Sequence, residues 1–228
     1  MTSNTTTRRH LVVAIDGPSG AGKGTVARAV AARLNYRHID TGAMYRAVAW
    51  KGVQEGLDLA DEDAIAALAD RARIEVGDGA ISVDAIDVRT AIRTPEIDAA
   101  AAAVARQPRV REVLIAQQRR IGARGGVVME GRDIGTVVFP DADVKVYLDA
   151  SPDERARRRA SDPAHAAGKG VAAVQDVASA LAARDRSDST RSVSPLSVAA
   201  DAVVIDTTGV PIDQVVERVL ALVQQRVK

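Results

Sequence analysis

One stretch near the start constrains this chain more than any other: an apolar run that opens directly onto a glycine-rich loop. Leu11-Val-Val-Ala-Ile15 is short, partly β-branched and apolar at every position, which predicts a strand buried on both faces, as in a parallel sheet. Gly17-Pro18-Ser19-Gly20-Ala21-Gly22-Lys23-Gly24-Thr25 follows, and Val26, Val30 and Leu34 then recur at helical spacing over 25–34. Glycines let consecutive backbone N–H groups turn toward one anion, and the helix N-terminus adds partial positive charge. Lys23 supplies a mobile full charge for β- and γ-phosphates. The strand–loop–helix context separates a nucleotide phosphate loop from a chance glycine turn, and it predicts ATP binding here.

The end of that loop narrows the chemistry. Many ATPases and GTPases carry Ser or Thr directly after the lysine, with its hydroxyl on Mg²⁺. Here that position is Gly24, and the hydroxyl arrives one residue later at Thr25. Mg²⁺ is therefore expected to rest on nucleotide phosphates and water, oriented by carboxylates such as Asp16 or Glu130, with no direct protein ligand.

Beyond the loop, strands and helices alternate. Residues 36–40, 127–129, 144–148 and 202–205 read as strands; 44–53, 61–72, 96–106, 109–120, 171–184 and 211–225 read as helices. Ser151-Pro-Asp-Glu154 has the order of a capped helix start. Ile74-Glu-Val76 and Ile81-Ser-Val83 flank Gly-Asp-Gly79 as a hairpin. The expected fold is α/β: a P-loop NTPase-type, doubly wound parallel sheet of five strands flanked by helices. Its domains are expected as a core over 11–56 and 108–228, a small α/β insertion over 57–107, a helical lid over about 155–183, and a disordered tail over 1–10. The stretch 162–170, with one proline and two glycines, reads as a flexible break in that lid.

Composition excludes several classes. Lys and Arg number 31 against 30 Asp and Glu, so there is no general attraction for nucleic acid. Aromatics are 2% of the chain, too few for base-stacking platforms. With no cysteine, thiolate nucleophiles, disulfides and cysteine zinc sites are absent. No apolar run reaches the roughly 18 residues that span a bilayer, so a cytoplasmic protein is expected. His10, His38 and His165 lack ligand-like spacing and are assigned no chemistry, while Trp50 and Phe139 are expected in the core.

Three further segments carry charge where an acceptor could sit. Arg46, after Asp40-Thr-Gly-Ala-Met-Tyr, is either a solvated helix residue or a bidentate holder of a monophosphate. Gly131-Arg-Asp-Ile-Gly-Thr136 follows a core strand, where ligands of open α/β sheets gather. Arg132 and Asp133 there are either an ion pair with each other or contacts to the acceptor's phosphate and base. Arg184-Asp-Arg-Ser-Asp-Ser-Thr-Arg191 is a solvated loop, or it offers Asp188 to ribose hydroxyls with Arg184 and Arg191 beside it. Arg155, Arg158 and Arg159 form a solvated basic helix face or part of a lid over the triphosphate.

Together these motifs resemble bacterial cytidylate kinases. The likeness runs from Leu11 onward and rests on 15–25, 40–46, Pro108-Arg-Val-Arg111 and Gly131-Arg-Asp-Ile-Gly-Thr-Val-Val-Phe-Pro140. It implies a monomeric, Mg²⁺-dependent enzyme that transfers the γ-phosphoryl group of ATP to CMP or dCMP. It also implies that Arg46 holds the acceptor phosphate with Arg132 close by. Thr41, Arg111, Asp133 and Arg191 then form the cytosine pocket, and Asp188, helped by Arg184, meets the sugar. Lys23, Arg132, Arg158 and Arg184 become the catalytic cations. The chain departs from the family at Thr41, where serine is common, and at Ala102, where another pocket serine falls. The rivals are a kinase of a different acceptor and a P-loop switch that hydrolyses ATP slowly; Gly24 speaks against the switch.

Overall fold

The computed structural model describes residues 10–161 and 171–227. The readings for the tail over 1–9, the break at 162–170 and His165 lie outside those residues.

The core is one parallel sheet. Its strands are β1 (Val12–Asp16), β2 (Arg37–Asp40), β6 (Val127–Glu130), β7 (Val144–Asp149) and β8 (Val203–Asp206), in spatial order β2-β6-β1-β7-β8. β1 is central and buried from Val13 to Asp16, as its unbroken apolar run requires. From β1 the chain runs out to the edge strand β2, returns to β6 between them, then crosses to β7 and β8. Strand order therefore reverses beside β1, where the carboxyl ends of an open α/β sheet leave a crevice for ligand.

Helices cover both faces. On one, α1 (Lys23–Leu34) and α8 (Ile212–Val227) pack Val26, Val30, Val219 and Val223 against Val13 and Ile15. On the other, α5 (Pro108–Gly122) sets Ile115 against Ile39 and Met129. A one-turn π-helix, Ile134–Val138, adds Ile134 and Val138 to that layer. Strand–helix alternation did not announce this turn.

Between β2 and α5 lie α2 (Thr41–Gln54), α3 (Glu62–Arg71) and α4 (Pro95–Val104), with a separate antiparallel sheet of β3 (Ile74–Gly77), β4 (Ala80–Val83) and β5 (Ile86–Asp87). The hairpin read from the glycine turn is present, and β5 extends it by a third strand. Ser151 caps its helix as the sequence signals, its Oγ accepting from Glu154 N at 3.3 Å; Asp40 caps α2, which starts at Thr41 and not at 44, with its Oδ1 accepting from Ala43 N at 3.0 Å.

Two readings need correction. Residues 184–190 are not a loop but the end of α7 (Val171–Thr190), which packs along α6 (Pro152–Ala160). The helix lacks a clean apolar stripe, so tertiary contact rather than amphipathic pattern carries it. Trp50 and Phe139 are only partly buried, at the margins of two clusters.

Candidate active site

The loop after β1 and the N-terminus of α1 form one wall of a cavity of about 1460 Å³. Residues 19–25 line it; Asp16, Gly17 and Pro18 do not. Gly17 is required by a close approach, because a Cβ there would fall 2.0 Å from the Leu148 carbonyl oxygen, at φ +145°. Lys23 is buried, and its Nζ donates to the Pro18 carbonyl at 2.7 Å. Burial pushes its pKa down to about 7; the charge of Arg132 adds to this, and Glu130 opposes it.

Asp16 does not reach the cavity. Its two oxygens accept from Ile134 N at 2.8 Å and Gly135 N at 2.7 Å, which holds the π-helical turn in place. Burial raises its carboxyl to about 6 despite those bonds. Glu130 does line the cavity, and its Oε1 lies 2.9 Å from His38 Nε2. His38, given no chemistry on spacing alone, is thus the buried partner of a site carboxylate 92 residues away. Thr41 spends its hydroxyl on the Glu130 carbonyl at 2.7 Å.

The polar floor is a buried charge cluster. Arg111 is 1% exposed; its Nη2 donates to Asp133 Oδ2 at 2.5 Å and its Nη1 to the Ala105 carbonyl at 3.2 Å. Its guanidinium stands 5.4 Å over the Tyr45 ring. Burial pushes the Tyr45 phenol up to about 12. Arg191 approaches the other oxygen of Asp133 at 3.5 Å. Arg132 and Asp133 do not pair with each other: Arg132 Nε donates to Asp188 Oδ2 at 2.9 Å, and Asp133 belongs to Arg111. Ala102 lies on the cavity wall.

Arg46 lines the cavity and its Nε donates to Asp98 Oδ1 at 2.8 Å. Arg184 lines it too and, among the described residues, makes no hydrogen bond or ion pair. Burial, with Arg132 and Arg46 nearby, lowers its pKa to about 10. From α6, Arg158 and Arg159 reach the cavity, Arg158 held by Glu154 at 2.8 Å and by Thr207 at 2.7 and 2.9 Å. Arg155 turns away from the cavity: it donates to the Ser19 and Ala150 carbonyls and to Asp185, bracing the loop from behind. The sequence reading missed Asp98, Thr207, Tyr45 and His38. Only Tyr45 sat inside a motif; the others carry no local signal.

Such a site brings a phosphate-binding backbone, a buried lysine and the cavity-lining Arg46, Arg132, Arg158, Arg159 and Arg184 into one space beside a carboxylate–guanidinium pocket. That can bind a triphosphate and a second anionic group carrying a polar ring. Among solved structures, the fold is similar to a gluconokinase from Sinorhizobium meliloti (TM-score 0.51, 17% identity, 96% of this chain and 94% of that one). A shikimate kinase from Bacteroides thetaiotaomicron matches with TM-score 0.50 and 12% identity over 94% and 98% of the two chains. These likenesses concern the fold alone. By sequence, the chain is 49% identical to a cytidylate kinase from Solibacter usitatus over 97% of its length and 96% of the relative's. The one from Desulfitobacterium hafniense is 45% identical, over 97% and 96%. A bifunctional pantoate ligase/cytidylate kinase from Trichormus variabilis is 47% identical over 96% of this chain, which spans 42% of that longer protein. With the cytidylate kinase family model matching residues 13–225, this chain belongs to the cytidylate kinase family.

Proposed function

We infer that the chain transfers the γ-phosphoryl group of ATP to CMP or dCMP, giving ADP and CDP or dCDP. One observation carries the reading: a single cavity joins the phosphate loop to the Arg111–Asp133–Arg191 cluster, so donor and acceptor sites share one space. In this reading the backbone amides of 19–25 and Lys23 take the donor phosphates. Lys23 exchanges its Pro18 contact for them. Arg46 and Arg132 aim the acceptor phosphate, and Arg158, Arg159 and Arg184 balance the charge that spreads over the transferred group. An acceptor phosphate oxygen attacks in line, forming a P–O bond as the bond to ADP breaks. Already anionic, that oxygen needs no general base, and no histidine is given one.

Cytosine presents an amino donor beside a ring acceptor, which Asp133 and the arginines answer. Uracil would set an oxygen against Asp133, at a cost of roughly 1–3 kcal/mol. Asp188 takes the sugar hydroxyls while it steers Arg132. The elements within 57–107 serve as the acceptor-side insertion, and 11–56 with 108–228 as the core.

Mg²⁺ accompanies ATP in this reading, and the donor set fits it. Glu130 and the Thr25 hydroxyl are oxygen donors on the cavity wall, whereas Asp16 has both oxygens bound to backbone N–H groups. Among the described residues, no group of three or more His, Asp or Glu gathers to cage a metal; in this reading phosphate and water hold most of the ion's positions. When bound, Mg²⁺ neutralises charge on the β- and γ-phosphates. We read the chain as a cytoplasmic monomer whose partners are these nucleotides, with no nucleic acid or membrane; among the described residues no helix is long and apolar enough to cross a membrane.

A coupled ADP-release assay with ATP and Mg²⁺ tests this against CMP, dCMP, UMP and AMP in turn. Fast turnover with the two cytidylates, slow with UMP and near zero with AMP is expected. Turnover with UMP that equals or exceeds CMP overturns the pocket assignment. Steady ATP hydrolysis without any acceptor turnover overturns the kinase reading.

A further inference from the structure

Two cavity arginines from distant parts of the chain reach one carboxylate. Asp98 Oδ1 accepts from Arg46 Nε at 2.8 Å, and Asp98 Oδ2 accepts from Arg159 Nη2. Arg46 lies on α2 and Arg159 in the last turn of α6, 52 and 61 residues from Asp98. Asp98 itself is in the first turn of α4, behind the N-cap Thr94 and Pro95, where the helix dipole favours a negative charge. Burial alone would raise its carboxyl, but Arg46 and then Arg159 and Arg184 outweigh that and hold it below the usual carboxylate range. The three side chains are all largely buried, at 14% to 19% exposure.

The geometry has a chemical consequence for Arg46. A guanidinium can offer an anion its side edge, through Nε and one Nη, or its end, through both Nη atoms. With Nε given to Asp98, the end fork is what remains. Neither Nη atom of Arg46 makes a hydrogen bond among the described residues.

We propose that Asp98 is a positioning residue for the acceptor phosphate: its carboxylate presents the Nη fork of Arg46 to the cavity and ties Arg159 to the same point. The proposal rests on the reading that Arg46 takes the acceptor's phosphate. Asp98 is part of no motif and lies in an alanine-rich helix, so nothing local marks it. The contrary role is a counter-ion that competes with phosphate for the two arginines. Removing a competitor would tighten acceptor binding; removing a positioning group weakens it.

Steady-state kinetics of the full chain, with ATP and CMP varied independently, decide between them. Asp98→Asn keeps the shape but offers one acceptor oxygen, so it can hold one arginine and not both. Its KM for CMP is expected to rise about tenfold while its KM for ATP stays within about twofold. Asp98→Glu, which restores both oxygens, is expected to recover most of the loss. An unchanged or lower KM for CMP in Asp98→Asn overturns the proposal, as does a variant that only melts earlier with its kinetics intact. Should Asp98→Asn not fold, Asp98→Ser, which removes both carboxylate oxygens, takes its place and must raise the KM for CMP while the KM for ATP stays within about twofold. A wild type that turns over no CMP overturns the acceptor reading instead; the Asp98 claim is then decided on whichever monophosphate the wild type accepts.

Discussion

Arg132 Nε and Asp188 Oδ2, 2.9 Å apart, join the loop after β6 to the last turn of α7 across 56 residues of chain. Both side chains are largely buried and both line the cavity. Under the proposed function, Asp188 therefore orients the arginine that aims the acceptor phosphate and also meets the sugar. Asp188→Ala should lower kcat/KM for CMP by about 10²-fold through misplacement of Arg132, with the KM for ATP little changed. Initial rates with each substrate varied separately check this; equal loss on both substrates would contradict it.

Lys23 is held neutral-leaning by its own surroundings. Its pKa of about 7 in the folded protein compares with an ordinary 10.5, so the unfolded chain binds more protons between those values. Stability of the nucleotide-free protein should accordingly rise with pH across that window, a slope that Lys23→Met removes. Triphosphate binding favours the charged form, so ATP binding at pH 8 should take up a proton. Calorimetry in buffers of different ionisation enthalpy measures that uptake. In the assay, Lys23→Met should lower kcat by about 10²- to 10³-fold.

Asp133→Ala would leave Arg111, at 1% exposure, without its counter-charge. Breaking a buried pair from one side costs about 3–5 kcal/mol, so urea denaturation should show a loss of that order. A double variant, Asp133→Ala with Arg111→Met, should recover part of it. Preference for CMP over UMP should fall in the single variant wherever enough protein remains folded to assay.

Ala102 stands on the cavity wall, and its methyl side chain offers no hydrogen bond. Ala102→Ser should sharpen the preference for CMP over UMP about fivefold, the worth of one hydrogen bond of about 1 kcal/mol. Competition between the two acceptors in one reaction reads this ratio directly.

The sequence by itself determined the parts whose physics is local. The run of five apolar residues over 11–15 predicts a buried strand, and the glycine pattern with Lys23 between strand and helix predicts a phosphate loop. Ser151 announced its helix because a cap bonds a backbone amide three residues on. Cavity-lining residues that sit beside such features, Arg46 and Arg132 among them, were legible for the same reason.

What the tertiary structure decided is who partners whom. Arg132 bonds Asp188 and not its neighbour Asp133; Asp16 bonds a π-helical turn more than a hundred residues on; His38 bonds Glu130; Asp98 gathers Arg46 and Arg159. Residues 184–190 became helix although their charges at short spacing read as a loop. Charge pairing depends on distance and desolvation, and both are set by how strands and helices pack. A chain of 31 basic and 30 acidic side chains allows many pairings, and only packing selects among them.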